Sequence, residues 1–145
     1  MAHQESVHPE ITRLFGAEQF ACVNKVVEVT NEGPGVNCHV YSFVGETNRD
    51  LGIIVMEPGA KTPLQRVLHG DRTVEGFVTG KGTLTIKRIS GEIEVYQVDE
   101  SRVPFSAEVK VGDLMQWQAA SDSKLVAFEV CYPSYQPGRF KNLPE

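Results

Sequence analysis

No stretch of this 145-residue chain is apolar for the roughly 20 residues that a membrane-spanning helix needs. The opening MAHQESVHPEITRLFG carries acidic residues and has no uninterrupted apolar core, so no secretory signal is expected there. Cysteine is scarce. Cys22, Cys38 and Cys131 are widely spaced, odd in number, and each lies in an apolar, strand-like run. With no Cys-x-x-Cys pair, neither a disulfide framework nor a zinc knuckle is expected. Reduced thiols of this kind behave as small buried hydrophobes and suit a reducing, cytoplasmic compartment.

Positive charge is also short. Fourteen Lys and Arg stand against 19 Asp and Glu, giving a net charge of −5. No run of like charge overrides that average, which argues against nucleic acid or an anionic membrane as partner. No Gly-x-Ser-x-Gly marks a nucleophilic serine, and no strand–glycine loop–helix unit marks a nucleotide site. Histidine is sparse, and none follows His69.

What is present is mostly period-two hydrophobicity. Residues 9–20 are the exception: Ile11, Leu14 and Phe15 recur at helical spacing between Pro9 and Gly16, which predicts a short N-terminal helix. Strands are predicted at 20–29, 36–44, 51–56, 63–69, 73–79, 82–88, 91–98, 107–111, 113–118 and 124–131. Turn clusters such as EGPG (32–35), EPGA (57–60) and SDS (121–123) separate them. Many short strands without intervening helices indicate a sandwich or barrel. We divide the chain into an N-terminal segment with a short helix, 1–19, and a β domain, 20–145.

The densest pattern runs from Pro58 to Leu84, PGAKTPLQRVLHGDRTVEGFVTGKGTL. It resembles the first sequence motif of the cupin family, G-x5-H-x-H-x3-4-E-x6-G, with one of its two histidines missing. With Gly82 as the closing glycine, His69 is the first His, Asp71 replaces the second and Glu75 is kept. With Gly80 instead, His69 is the second His, while Val67 and Thr73 replace the first His and the Glu. The second cupin motif, G-x5-P-x-G-x2-H-x3-N, has its counterpart from Gly112 onward. There Gln118, Ala120, Ser123 and Ala127 occupy the Pro, Gly, His and Asn places. The resemblance covers roughly residues 38–140 and implies an all-β fold: a single cupin-type double-stranded β-helix, or jelly-roll barrel, preceded by the short helix. It also implies that the family's metal-ligand set is largely gone.

Side chains two apart share a face of a strand. Gln65, Val67 and His69 therefore point together, as do Thr73, Glu75, Phe77 and Thr79 on the next strand. On an earlier strand, His39, Tyr41 and Phe43 form one face and Cys38, Val40 and Ser42 the other, and the alternation does not say which is inward. Gln116 and Gln118 share a face, with Trp117 opposite. Asp71 reads as turn chemistry after Gly70, and Trp117 as a core or interface aromatic.

The candidate catalytic pair is His69 and Glu75, with Gln65, His39, Tyr41, Phe77 and Gln116 as candidate substrate contacts. A histidine and a carboxylate inside a hydrophobic barrel can act as base and acid, because burial moves both towards working pH. No metal or other cofactor is expected, and a divalent transition metal held through His69 is the alternative. The function expected is small-molecule binding with metal-independent acid–base catalysis of the isomerase, epimerase, cyclase or lyase type. A metal-dependent cupin oxygenase with a non-standard ligand set, or a non-catalytic binding barrel, are the alternatives. Homodimerisation through edge strands or the N-terminal segment follows from the resemblance and from the need to cover strand edges.

Overall fold

The structure is a computed structural model that describes residues 23–43, 48–68, 70–102, 105–132 and 140–143. The predicted helix at 9–20 and His69 lie outside these residues. The strands are β1 (Val23–Gly33), β2 (Val36–Phe43), β3 (Asp50–Met56), β4 (Leu64–Val67), β5 (Arg72–Gly80), β6 (Gly82–Lys87), β7 (Ile93–Val98), β8 (Ser106–Lys110), β9 (Leu114–Ala119), β10 (Leu125–Tyr132) and β11 (Phe140–Leu143). All ten predicted strands are present, and β11 is an addition. A 3-10 turn, Glu100–Arg102, lies in the loop after β7. No helix among the described residues is long and apolar enough to cross a membrane.

Every pairing is antiparallel. One sheet runs β1-β2-β3-β10-β5-β8 and the other β11-β4-β9-β6-β7. Strands from the two ends of the chain interleave: β10 lies between β3 and β5, and β9 between β4 and β6. That is the double-stranded β-helix arrangement. Among the described residues the hydrogen bonding forms two open sheets packed face to face, not one closed ring.

The apolar core lies between the sheets. Val36, Met56, Val67, Leu84, Ile86 and Leu125 are fully buried there, with Trp117 reaching across from β9. Each such aliphatic side chain contributes about 1.5–3 kcal/mol on burial. The motif's glycines are placed for two different reasons. Gly80 has a φ of 96°, as a turn glycine should. Gly82 has no positive φ. It is glycine because a Cβ would meet Gln118 O at 2.3 Å and Leu125 Cδ2 at 2.6 Å.

Register fixes which side chains meet between the sheets, since directly paired residues share a face. Val40, Gly52, Glu129, Glu75 and Ala107 form one row across the six-stranded sheet. The next row is Asp50, Cys131, Thr73 and Val109. On the other side lie Thr30, Cys38, Ile54 and Ala127. In the opposite sheet Asn142, Gln65, Met115 and Ile86 make a comparable row.

Candidate functional site

A cavity of about 290 Å³ opens between the sheets at their β1–β2–β3 and β4–β11 ends. Cys38 and Val40 of β2, Asp50, Gly52 and Ile54 of β3, and Glu129 and Cys131 of β10 line it from the larger sheet. Gln65 and Asn142 approach from the other sheet, where Gln65 Nε2 donates to Asn142 Oδ1 at 3.0 Å. The volume is near the lower bound for small-molecule sites.

Beside the cavity, in the same row as Glu129, sits Glu75. Its side chain is fully buried. Trp117 Nε1 donates to Glu75 Oε1 at 2.8 Å from the opposite sheet, while Oε2 has no hydrogen-bond partner of good geometry. Burial holds the Glu75 carboxyl well above the usual range, and the neighbouring Glu129 carboxyl pushes it further up. The Trp117 N–H and the Thr73 hydroxyl pull the other way and do not win. Two carboxyls on adjacent strands, with Cβ atoms about 5 Å apart for a directly paired position, disfavour each other's ionisation, and the upward shift falls on Glu75, the more buried of the two.

Cys38 reports the same field. Its thiol is pushed well above its ordinary range, first by burial and then by Glu129, Glu32, Glu75 and Asp50. Four carboxylates therefore act on one thiol. Cys131 Sγ lies 3.4 Å from Glu129 Oε2, as expected for residues two apart on one strand.

The candidate residues read from the sequence divide accordingly. Gln65 lines the cavity and Glu75 lies beside it. Phe77 holds the position on β5 opposite Ala127. His39 and Tyr41 lie on the other face of β2 from Cys38 and Val40, in register with Ile53 and Leu51. There burial depresses the His39 pKa. Gln116 faces away from Met115 and Trp117 and donates to Thr62 O at 2.9 Å. Glu129, Asp50 and Cys38 were missed as site residues, and Trp117 was read as packing alone. The one available signal was Glu129 itself, a carboxylate inside the otherwise apolar run LVAFEVCY of β10.

The described residues do not fit the cupin metal set. Asp71, in the place of a histidine, is exposed and paired with Arg72. Thr73 offers only a hydroxyl, and one oxygen of Glu75 already accepts from Trp117. Among the described residues no three His, Cys, Asp or Glu are grouped so as to hold a metal ion.

The fold can be compared with solved structures. The capsular polysaccharide assembling protein CapF from Staphylococcus aureus superposes with a TM-score of 0.64 at 16% identity, over 81% of this chain and 34% of that one. Oxalate decarboxylase from Bacillus subtilis superposes with a TM-score of 0.67 at 16% identity, over 80% of this chain and 30% of that one. This chain has the cupin fold. It spans about a third of the length of these cupin-fold proteins. Mn(II) centres belong to the B. subtilis oxalate decarboxylase. No family model matches the sequence, and no curated protein does.

Proposed function

We propose that the chain binds a small molecule between its sheets and performs metal-independent acid–base chemistry there, of the isomerase, epimerase, cyclase or lyase kind. The observation that carries this reading is the Glu75–Glu129 pair. One carboxyl is sealed from water and has its acid form favoured by burial and by the second carboxyl, while that neighbour lines a cavity of metabolite size.

Glu129 is the group that meets the ligand. As a carboxylate it takes a proton from a carbon acid, and the electron pair left behind delocalises into an adjacent carbonyl. Returning the proton to a neighbouring carbon of the delocalised system completes an isomerisation with atoms and charge in balance. Glu75 is a positioning residue. Its acid proton, directed at Glu129, fixes the orientation of that carboxylate and sets its basicity, and Trp117 fixes Glu75. Gln65 is placed to hydrogen-bond a ligand oxygen from the facing sheet. His69, the base expected from the motif, is retained as a proposal, and His69→Ala should slow turnover if it shares the proton transfer.

The test needs no substrate. Infrared spectroscopy at pH 7 should show a protonated carboxyl band in the wild-type protein that Glu75→Gln removes. Absence of that band from the wild type would mean both groups are ionised, and the acid–base reading would fail. Homodimerisation belongs to the same proposal. Sedimentation velocity should find a species of twice the chain mass, and a monomer across the micromolar range would remove it.

A further inference from the structure

We propose that two copies of this chain join through the open edge of β7, antiparallel across a two-fold axis at Val95. The inference rests on the homodimer reading above and names the surface it uses.

The four sheet edges differ in how they are covered. Among the described residues, β1 and β8 end the larger sheet, and β11 and β7 end the smaller one. An open strand edge invites pairing with another chain, and folded proteins blunt it with bulges, short strands, charges or a covering group. β1 is irregular at three points of its pairing with β2. β8 carries Glu108 and Lys110, and Arg88 Nη1 donates to its Glu108 carbonyl at 2.7 Å. β11 is four residues long and carries an exposed Lys141. β7, IEVYQV, has none of these devices. It is six residues long, pairs with β6 without a shift of register, and contains no proline, lysine or arginine.

The outer face of β7 is also apolar. Ile93 is 60% exposed and Val95 56%, and the neutral Gln97 completes the row. The strand's single charge, Glu94, turns to the other face. There Arg88 neutralises it at 2.8 Å and the Tyr96 hydroxyl donates to it. It therefore does not repel a strand laid alongside.

Charge selects the register. With the axis at Val95, that residue faces Val95 of the partner subunit and Ile93 faces the partner's Gln97. Glu94 then stands opposite the partner's Tyr96, and no like charges meet. An axis at Glu94 would set two carboxylates directly opposite, which destabilises a strand pair. An axis at Tyr96 would set Ile93 against the partner's Asp99. Because the same edge serves both copies, the assembly closes at two. Main-chain hydrogen bonds supply the affinity and the side chains the register. The cavity lies at the β4–β11 end of the smaller sheet, opposite β7, so both cavities stay open in the dimer.

Sedimentation velocity of the full chain across the micromolar range, with Val95→Lys and Val29→Lys beside the wild type, tests the surface. Both substitutions fall at exposed positions, on β7 and β1. A wild-type dimer is expected, weakened about tenfold or more by Val95→Lys and unchanged by Val29→Lys. Val95→Cys tests the register, because directly opposite residues of an antiparallel pair lie within disulfide reach. Mild oxidation should link the substituted position to its own copy, read by peptide mass spectrometry, and Val29→Cys should give no such link. Val95→Cys adds no charge and keeps the test open should Val95→Lys fold poorly. A dimer equally tight in Val95→Lys, or loosened as much by Val29→Lys, overturns the β7 interface and leaves the homodimer reading standing. Dissociation by Val95→Lys without a link in Val95→Cys overturns the axis at Val95. A wild-type monomer throughout removes the homodimer reading and the interface together.

Discussion

Two carboxylates with almost no exposed surface, Glu75 deep between the sheets and Asp113 at the shallower far corner, are oppositely treated. Asp113 accepts from Ile89 N at 2.9 Å, from Lys110 N at 3.0 Å and from Arg88 Nη1 at 2.9 Å. Burial alone would raise its pKa, yet the two backbone N–H groups and Arg88 together hold it below the usual carboxylate value. Arg88 is in turn gripped by Glu94, whose pKa falls to about 2 through Arg88 and the Tyr96 hydroxyl. Glu75 has a single N–H donor and a carboxylate for a neighbour, and its pKa rises. Burial raises both, Glu75 the more because it lies deeper, and at Asp113 the number and charge of the partners reverse the sign. A saturated carboxylate ties the β6–β7 hairpin to the β8–β9 turn. An undersatisfied one, beside a cavity, has its acid form favoured.

Glu75→Gln should break the contrast most sharply. The folded pKa of Glu75 lies above its unfolded value of about 4.3. The folded protein therefore binds the extra proton between those two values. Its stability is fully present below about pH 4.3 and falls as pH rises through the folded pKa. Glutamine matches the neutral acid in shape: its carbonyl accepts from Trp117 and its amide donates to Glu129. Urea unfolding across pH should find the variant more stable than the wild type at neutral to alkaline pH and equal to it in acid. A parallel fall of stability with pH in both proteins would show that Glu75 is not the titrating group.

Asp113→Ala acts in the opposite sense. Removing the carboxylate orphans two backbone N–H groups and leaves Arg88 with one partner fewer, a loss of about 3 kcal/mol. The folded pKa of Asp113 is lowered, so its contribution is present above an unfolded value of about 3.9 and lost as pH falls further. The variant should lack that part of the wild type's acid sensitivity. Full stability in Asp113→Ala would mean that the corner is not held by this group.

Trp117→Phe comes next, at about 2 kcal/mol, from the lost hydrogen bond to a buried group together with the space the smaller ring leaves. Because the Trp117 N–H lowers the Glu75 pKa, its loss should carry that pKa higher still and strengthen the infrared carboxyl band at alkaline pH. A band unchanged between wild type and variant would show that Trp117 does not act on Glu75.

The same contrast explains what was legible in the sequence. Period-two alternation and the turn glycines located ten strands, because those signals are local. Phe140–Leu143 was not found, since FKNL is four residues long and gains its strand state by pairing with β4. Glu75 was legible through its place in a motif. Glu129 was not, because its meaning comes from register: it faces Glu75 on one side and Gly52 on the other, and both pairings join residues more than 50 positions apart. Likewise β2 offered two faces. Cys38 and Val40 line the cavity because of how β2 pairs with β3, which no property of residues 36–43 alone decides. Asp50 belonged to a turn-like cluster, GETNRD, and only the structure opens β3 with it.

The smallest effect expected is at Cys38, and it distinguishes charge from access. Alkylation requires the thiolate, so a thiol pushed up by burial and by four carboxylates should react more slowly than an unperturbed cysteine near pH 8. Glu129 is the strongest of those four fields. Glu129→Gln should accelerate iodoacetamide modification of the Cys38 peptide, followed by mass spectrometry, by shifting the whole rate-against-pH curve to lower pH. If the substitution merely loosened the cavity, the rate would rise by one factor at every pH and the curve would keep its position. A shift without a uniform rise means that the negative field of the cavity acts on Cys38.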